Sequence, residues 1–248
     1  MRRANRSRTP ILSRWMLMAA VLGVTSPALA KNPNPGVAPP GSNAYSKSLA
    51  EWSVEWWKWL LKIDTAVHPA LGGDCAEGQS GKVFHLAADF TGGAGLPPCT
   101  IPAGKAIMVP IVNVECSTVE LDPFFGANEE ELTDCATCWG DHIVVSSLTM
   151  TLDGVPLNDL GAYRAVSPMF TFEYPASNIF GIAGGPSTGQ SVGDGYWILL
   201  PPLPAGEHTL SYSGTFDFPA EDPGCESSGS GFSFGFGADY VLNVQGGK

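Results

Sequence analysis

From residue 82 onward the chain runs in short stretches whose side chains alternate between apolar and polar, a period of two that only paired, extended backbone satisfies. Residues 82–88, 106–114, 142–152, 169–174, 196–200, 208–216 and 232–244 read as strands, rich in Val, Ile, Phe, Tyr and Thr. Asp153-Gly154 stands between Leu152 and Val155-Pro156-Leu157 and signals a hairpin. The 30 glycines and 21 prolines supply the turns that many short strands require. Strands do not alternate with helices here, so a doubly wound parallel sheet is excluded. The pattern predicts a mainly β fold, a β-sandwich of jelly-roll or Ig-like type, with one N-terminal amphipathic helix and one short inserted helix.

The N-terminal helix is marked by Tyr45, Leu49, Trp52, Trp56, Trp59 or Leu60, and Ile63, which recur at steps of three or four. Ser48 and Glu51 have capping-box spacing, although Tyr45 and Lys47 suggest a start one turn earlier. Glu51, Glu55, Lys58 and Lys62 mark the wet face, with Glu55–Lys58 spaced for an i,i+3 pair. His68-Pro69 and Gly72-Gly73 close the segment. A second, short helix is expected to start at Asn128, with Glu131 three residues on, and to end near Cys135.

The first 30 residues predict a removable secretion signal. Arg2, Arg3, Arg6, Arg8 and Arg14 form a positive start without acids, an apolar stretch runs from Trp15 to Val24, and Ala28-Leu29-Ala30 is a small-x-small cleavage site. That stretch is too short to cross a bilayer, which needs about 20 residues. Arg2-Arg3 lacks the apolar residues that follow a twin-arginine pair, and no cysteine after Ala30 offers a lipid site. Residues 31–42, rich in Pro, Gly and Asn, are expected to be a flexible leader, and residues 43–248 one sandwich domain. The whole chain has 13 Lys+Arg and 24 Asp+Glu, net −11; without the five signal arginines the balance is 8 − 24 = −16. Nucleic acid and anionic lipid both need a basic footprint and are excluded as partners. All six cysteines (Cys75, Cys99, Cys116, Cys135, Cys138, Cys225) lie beyond the signal, and an even count in an exported chain reads as disulfides. Cys75–Cys99 is the preferred pair, each in a Gly-rich loop flanking one strand; the other four share two bonds. A secreted or periplasmic location follows, with no membrane span in the mature chain.

Two groups of residues look familiar together. One runs from Trp52-Ser-Val-Glu-Trp56-Trp57-Lys-Trp59 through Asp74-Cys75 and Val83-Phe84-His85 to Cys99, Gly104 and Pro110-Ile-Val-Asn113. The other is Asp194-Gly-Tyr-Trp197-Ile-Leu-Leu-Pro-Pro-Leu203-Pro-Ala-Gly206-Glu-His208-Thr-Leu210. The chain in this respect resembles a family of exported bacterial proteins of unassigned function. The resemblance implies a recurrent domain and transfers no chemistry to any residue.

Candidate sites are few. Trp52, Trp56 and Trp59 belong to the core stripe, whereas Trp57 lies off it and is expected to meet solvent. With Tyr196 and Trp197 it would form an aromatic platform for a sugar ring. The four histidines, His68, His85, His142 and His208, are never closer than 17 residues, against the clustered spacing of metal sites, so no metal or other cofactor is expected. Cys135-Ala-Thr-Cys138 has C-x-x-C spacing but sits at the expected helix C-terminus, where the dipole opposes a reactive thiolate; it reads as structural. Residues 115–141 are the most acidic segment and match no Ca²⁺ loop. Glu115, beside Asn113 at a strand end, is the first acid to test. Serine nucleophiles lack a G-x-S-x-G elbow.

The leading expectation is therefore an exported, non-catalytic protein acting by binding or surface association, with a glycan or protein ligand. The rival is a hydrolase or lyase acting on extracellular polymer, with Glu115 as acid or base and His85 or His142 beside it. A third possibility is a Trp helix that docks onto another chain.

Overall fold

The computed structural model describes residue 34, residues 36–220, residue 225 and residues 231–246. The signal at 1–30 lies outside the described residues. Asn32–Lys248 forms one compact unit. Its helices are α1 (Leu49–Leu61) and α2 (Glu129–Asp141). Its strands are β1 (Val83–His85), β2 (Cys99–Ile101), β3 (Ala106–Ser117), β4 (Thr149–Leu152), β5 (Val155–Pro156), β6 (Phe170–Tyr174), β7 (Ser187–Leu200), β8 (Gly206–Phe218) and β9 (Phe232–Val244). They form a four-stranded sheet, β1-β3-β7-β6, and a five-stranded sheet, β2-β9-β8-β4-β5. The fold is thus mainly β and sandwich-like, as the alternation predicts.

The sheets face each other through one apolar core, to which β3 gives Ile107, Val109, Val112, Val114 and Cys116 and β8 gives Leu210, Tyr212, Phe216 and Phe218. A second core lies on the far side of the four-stranded sheet, where α1 packs Trp52, Trp56, Trp57 and Trp59 against Met108, Phe172, Trp197 and Leu199. Both faces of β3 and β7 are therefore covered. β3 and the second half of β7 accordingly read as nearly continuous apolar runs, whereas β6 and β8, with one face toward water, alternate.

One irregularity decides where side chains point. In the β3–β7 ladder Pro110 pairs with Trp197 and Val112 with Tyr196, so Ile111 is an extra residue. Up to the bulge the odd-numbered residues Ile107, Val109 and Ile111 face the sandwich; beyond it Val112, Val114 and Cys116 do. Glu115 is turned to the α1 face as a result.

The capping box holds: Ser48 Oγ accepts from the Glu51 N–H, and the Glu51 carboxylate accepts from the Ser48 N–H at 2.7 Å. The helix begins at Leu49, with a separate 3-10 turn at Ala44–Ser46 before it. Glu55 pairs with Lys47 at 2.5 Å, and not with Lys58 as its spacing suggested. Asn128 caps α2 through Glu131 N, but the helix runs thirteen residues, so Cys135 lies at its middle and not its end. His142 then caps the helix, its N–H bonding back to Trp139 and Gly140, so the expected strand at 142–152 is cut to β4. The Asp153-Gly154 hairpin is present, with φ of 52° and 74° at its two turn residues. The described part of the leader is not free: Asn34 exchanges hydrogen bonds with Asn158, and Ala38 N–H donates to Leu199.

The disulfides are Cys75–Cys99, as preferred from the sequence, Cys116–Cys135 and Cys138–Cys225. The second joins β3 to α2; the third ties α2 to the segment between β8 and β9, 87 residues away. On the chain-entropy argument the longest loop contributes about 4–5 kcal/mol and the 24-residue Cys75–Cys99 loop about 3 kcal/mol. Urea unfolding is expected to show Cys138→Ala/Cys225→Ala losing the larger amount. A larger loss from Cys75→Ala/Cys99→Ala would contradict that order.

Candidate functional site

β1 pairs with β3 only as far as His85 and Met108, and after Leu86 N–H donates to Met108 the chain crosses to β9, where Asp89 N–H donates to Gly237. The edge of β3 beyond that point borders a cavity of about 160 Å³. Pro110, with no N–H to leave unpaired, stands where the pairing stops. Trp56 and Trp57 of α1 and Phe180 form one wall. Trp139 of α2, Phe124, Phe216 of β8 and Phe234 and Phe236 of β9 form the other. The inner rings touch closely, with Trp56–Trp57 at 4.8 Å edge-on and Phe124–Trp139 at 4.7 Å. The rim rings are part-exposed, Phe180 by 38 %.

At the floor lies Glu115, 3 % exposed. One of its oxygens accepts from the Ser191 hydroxyl, and a further side-chain hydrogen bond joins the carboxyl to Glu120. The Glu120 carboxyl faces it, itself anchored by Ser117 Oγ at 2.8 Å. Burial first, and then the neighbouring Glu120, raise the Glu115 pKa well above the usual carboxylate range; burial raises Glu120 too. Two such carboxyls in contact share one proton, because desolvation makes two adjacent negative charges prohibitive.

Trp57 supplies an unpaired polar atom. Three α1 indoles have carbonyl partners: Trp52 on Ala44, Trp56 on Leu86 and Trp59 on Glu77. The Trp57 indole N–H has none, nor does that of Trp139 across the cavity. Gly193 makes room for Trp57, since a Cβ there would lie 2.4 Å from Nε1. Gly193 also pairs with Glu115, so the free indole N–H and the buried carboxyl occupy neighbouring ground on one sheet face. The cavity is the kind that binds small molecules: apolar walls with a few convergent polar groups.

The residues expected from the sequence fall out unevenly. Glu115 is in the site. His85 is not: it packs against Trp59 at 5.6 Å, and burial, then Lys62 and Lys47, push its pKa down to about 3, so it stays neutral. His142 stacks on Phe218 at 4.3 Å and bonds the Cys138 carbonyl. Neither histidine is among the groups acting on Glu115, and the expected carboxylate–histidine set is not assembled. The open aromatic platform also fails. Trp57 is 3 % exposed, Tyr196 3 % and Trp197 0 %; Trp57 and Trp197 pack together in the α1 core, and Tyr196 lies in the sandwich core. The off-stripe position of Trp57 reflects a cavity wall, not solvent. The four α1 tryptophans are all used inside their own chain, which leaves no Trp face for docking. Glu120, Ser117, Ser191 and the phenylalanines were missed; Ser117-Thr-Val-Glu120 was the local signal available.

Cys138, His142 and Cys225 come within metal-ligand distance of one another, but both sulfurs are spent in the disulfide. Elsewhere, Arg164 grips the fully buried Asp194 through Nε and Nη2 and reaches Asp141 at 2.7 Å, which pins α2 to β7. Asp194 raises the Arg164 pKa further. Among the described residues no helix is long and apolar enough to cross a membrane. Comparison with family models, with curated proteins and with solved structures gave no match.

Two outcomes follow. Glu115 has a folded pKa above its unfolded value, so its contribution is complete below about pH 4.5 and is lost as pH rises through the folded pKa. Glu115→Gln is therefore expected to gain on the wild type in urea midpoint as pH rises from 4 to 8; a constant difference would contradict the buried, protonated carboxyl. Gly193→Ala is expected to cost about 1–3 kcal/mol by forcing Trp57 aside, seen as a red-shifted tryptophan emission and a lower melting temperature. An unchanged protein would contradict the contact.

Proposed function

We propose that this chain is an exported, non-catalytic binding protein that holds one small, mostly apolar molecule in the aromatic cavity, its polar end on Glu115. The observation that carries this is the pair of buried indole N–H groups without partners, Trp57 and Trp139, on opposite walls of a cavity that also holds the Glu115–Glu120 carboxyl pair. Each buried polar atom without a partner costs about 1–3 kcal/mol, which an acceptor on a guest in the cavity would offset. Volume supports the size: an apolar cavity near 150 Å³ takes a benzene-sized guest. Export is supported by the disulfide bonding of all six cysteines.

The hydrolase reading draws on one observation, the carboxyl pair with raised pKa values, a setting that acid–base chemistry also uses. A polymer substrate finds little support in a cavity of this volume, walled by rings on both sides. The glycan reading needs an open aromatic face and has lost its three candidates to the core.

Titration of the protein with toluene and benzyl alcohol tests the binding reading. The indole N–H signals of Trp57 and Trp139 are expected to shift together, with Kd between about micromolar and millimolar for ligands of this size. Ala88→Phe, which fills the cavity from its edge, is expected to weaken binding at least about tenfold while the unfolding midpoint holds or rises. Silent cavity indoles with shifts scattered over the surface would refute the proposal.

A further inference from the structure

Eighteen residues line the cavity, and nine of them are aromatic; none is Lys, Arg or His. The acidic members are Glu115 and Glu120 alone. With one proton between them the pair keeps one negative charge, and no basic side chain of the lining offsets it. The ring faces add partial negative charge of their own, since an aromatic quadrupole is negative over its face. Such walls attract a cation and gain more from it when water is excluded. The Ser191 and Ser117 hydroxyls hold the carboxyl pair in place on the cavity lining. The surrounding protein favours the same sign of ligand, with a net charge of −11 over the whole chain.

From this we infer that the guest is a cation, a small amine or quaternary ammonium, seated against Glu115 with the rings of Trp56, Trp57 and Trp139 around it. The inference rests on the cavity being a binding site and adds the charge of what it binds. The Trp57 N–H beside Glu115 calls for an acceptor, so an ammonium that also carries a hydroxyl or carbonyl oxygen fits best. A metal cation is poorly served here. Glu115, Glu120, Ser117 and Ser191 supply the oxygens of a Ca²⁺ site only in part, where six to eight are usual, and the rings supply none.

The test compares choline with 3,3-dimethylbutan-1-ol, its uncharged carbon isostere, on the full protein with its disulfides intact. Binding is read from tryptophan fluorescence and from the Trp57 and Trp139 indole signals. Choline is expected to bind at least about tenfold tighter than the alcohol. In Glu115→Gln/Glu120→Gln, which keeps the shape and leaves the pair no ionisable group, the preference is expected to fall to about twofold or less with alcohol binding retained. If that variant does not fold, the comparison of choline with the alcohol on the unaltered protein remains the test. An alcohol that binds as tightly as choline would overturn the cation and leave the binding reading intact. If choline, the alcohol and toluene all leave the indoles unmoved, the binding reading falls as well. A response to CaCl₂ without one to choline would overturn the organic cation in favour of a metal.

Discussion

The ladder between β3 and β7 is buried on both faces, and that constraint sets the positions of the other elements. One face needs a second sheet, supplied by β8 and β9 through Leu210, Tyr212, Phe216 and Leu242. The other needs a helix with enough apolar area to cover strands side by side, which is why four tryptophans crowd α1. Each indole brings a large area to bury, and three find backbone carbonyls for their N–H groups. The Arg164–Asp194 pair and the Cys116–Cys135 bond then fix α2 against the same two strands. Asp194 is fully buried, so removing Arg164 would leave an uncompensated charge; the ion pair locks position more than it adds stability.

Within this frame the cavity is a consequence of two local departures from regularity. β1 abandons β3 after three residues, and Ile111 bulges. The first opens an edge between the two layers; the second turns Glu115 out of the sandwich and toward α1. A regular ladder would have placed the carboxyl among Ile107, Val109 and Ile111, with no serine to hold it. The bulge thus converts an intolerable position into one that is costly but tolerated, with Ser191 as a hydrogen-bond donor and Glu120 as a proton-sharing neighbour.

Much of the fold was legible because its signals are local. Ser48 with Glu51, Asn128 with Glu131, and Asp153-Gly154 each declare a cap or a turn within a few residues. Alternation gave β6, β8 and β9 nearly to their ends. β7 was read too short, because Gly193-Asp194-Gly195 looks like a turn; in the fold those glycines are forced by Trp57 and by Asn113 across the ladder. The length of α2 was also missed, since Cys135-Ala-Thr-Cys138 has little helical character until two disulfides and Trp139 hold it. Glu115 and Trp57, both singled out from the sequence, border the cavity for reasons other than those expected. The carboxyl's partner is a second carboxyl rather than a histidine, and the off-stripe indole faces a cavity rather than water. Neither fact is visible in sequence, because both depend on a register shift set by pairing with a strand some eighty residues away.

The central claim is that Glu115 sits dry and protonated at the floor of a small aromatic cavity. Its side-chain carboxyl ¹³C resonance, followed from pH 3 to pH 9 in the unliganded protein, reports this directly. A carboxyl that stays protonated well above pH 4.5 and shares its titration with Glu120 is the expected result. A single step near 4.5, independent of Glu120, would mean that water reaches the group freely and that the cavity is not the site described.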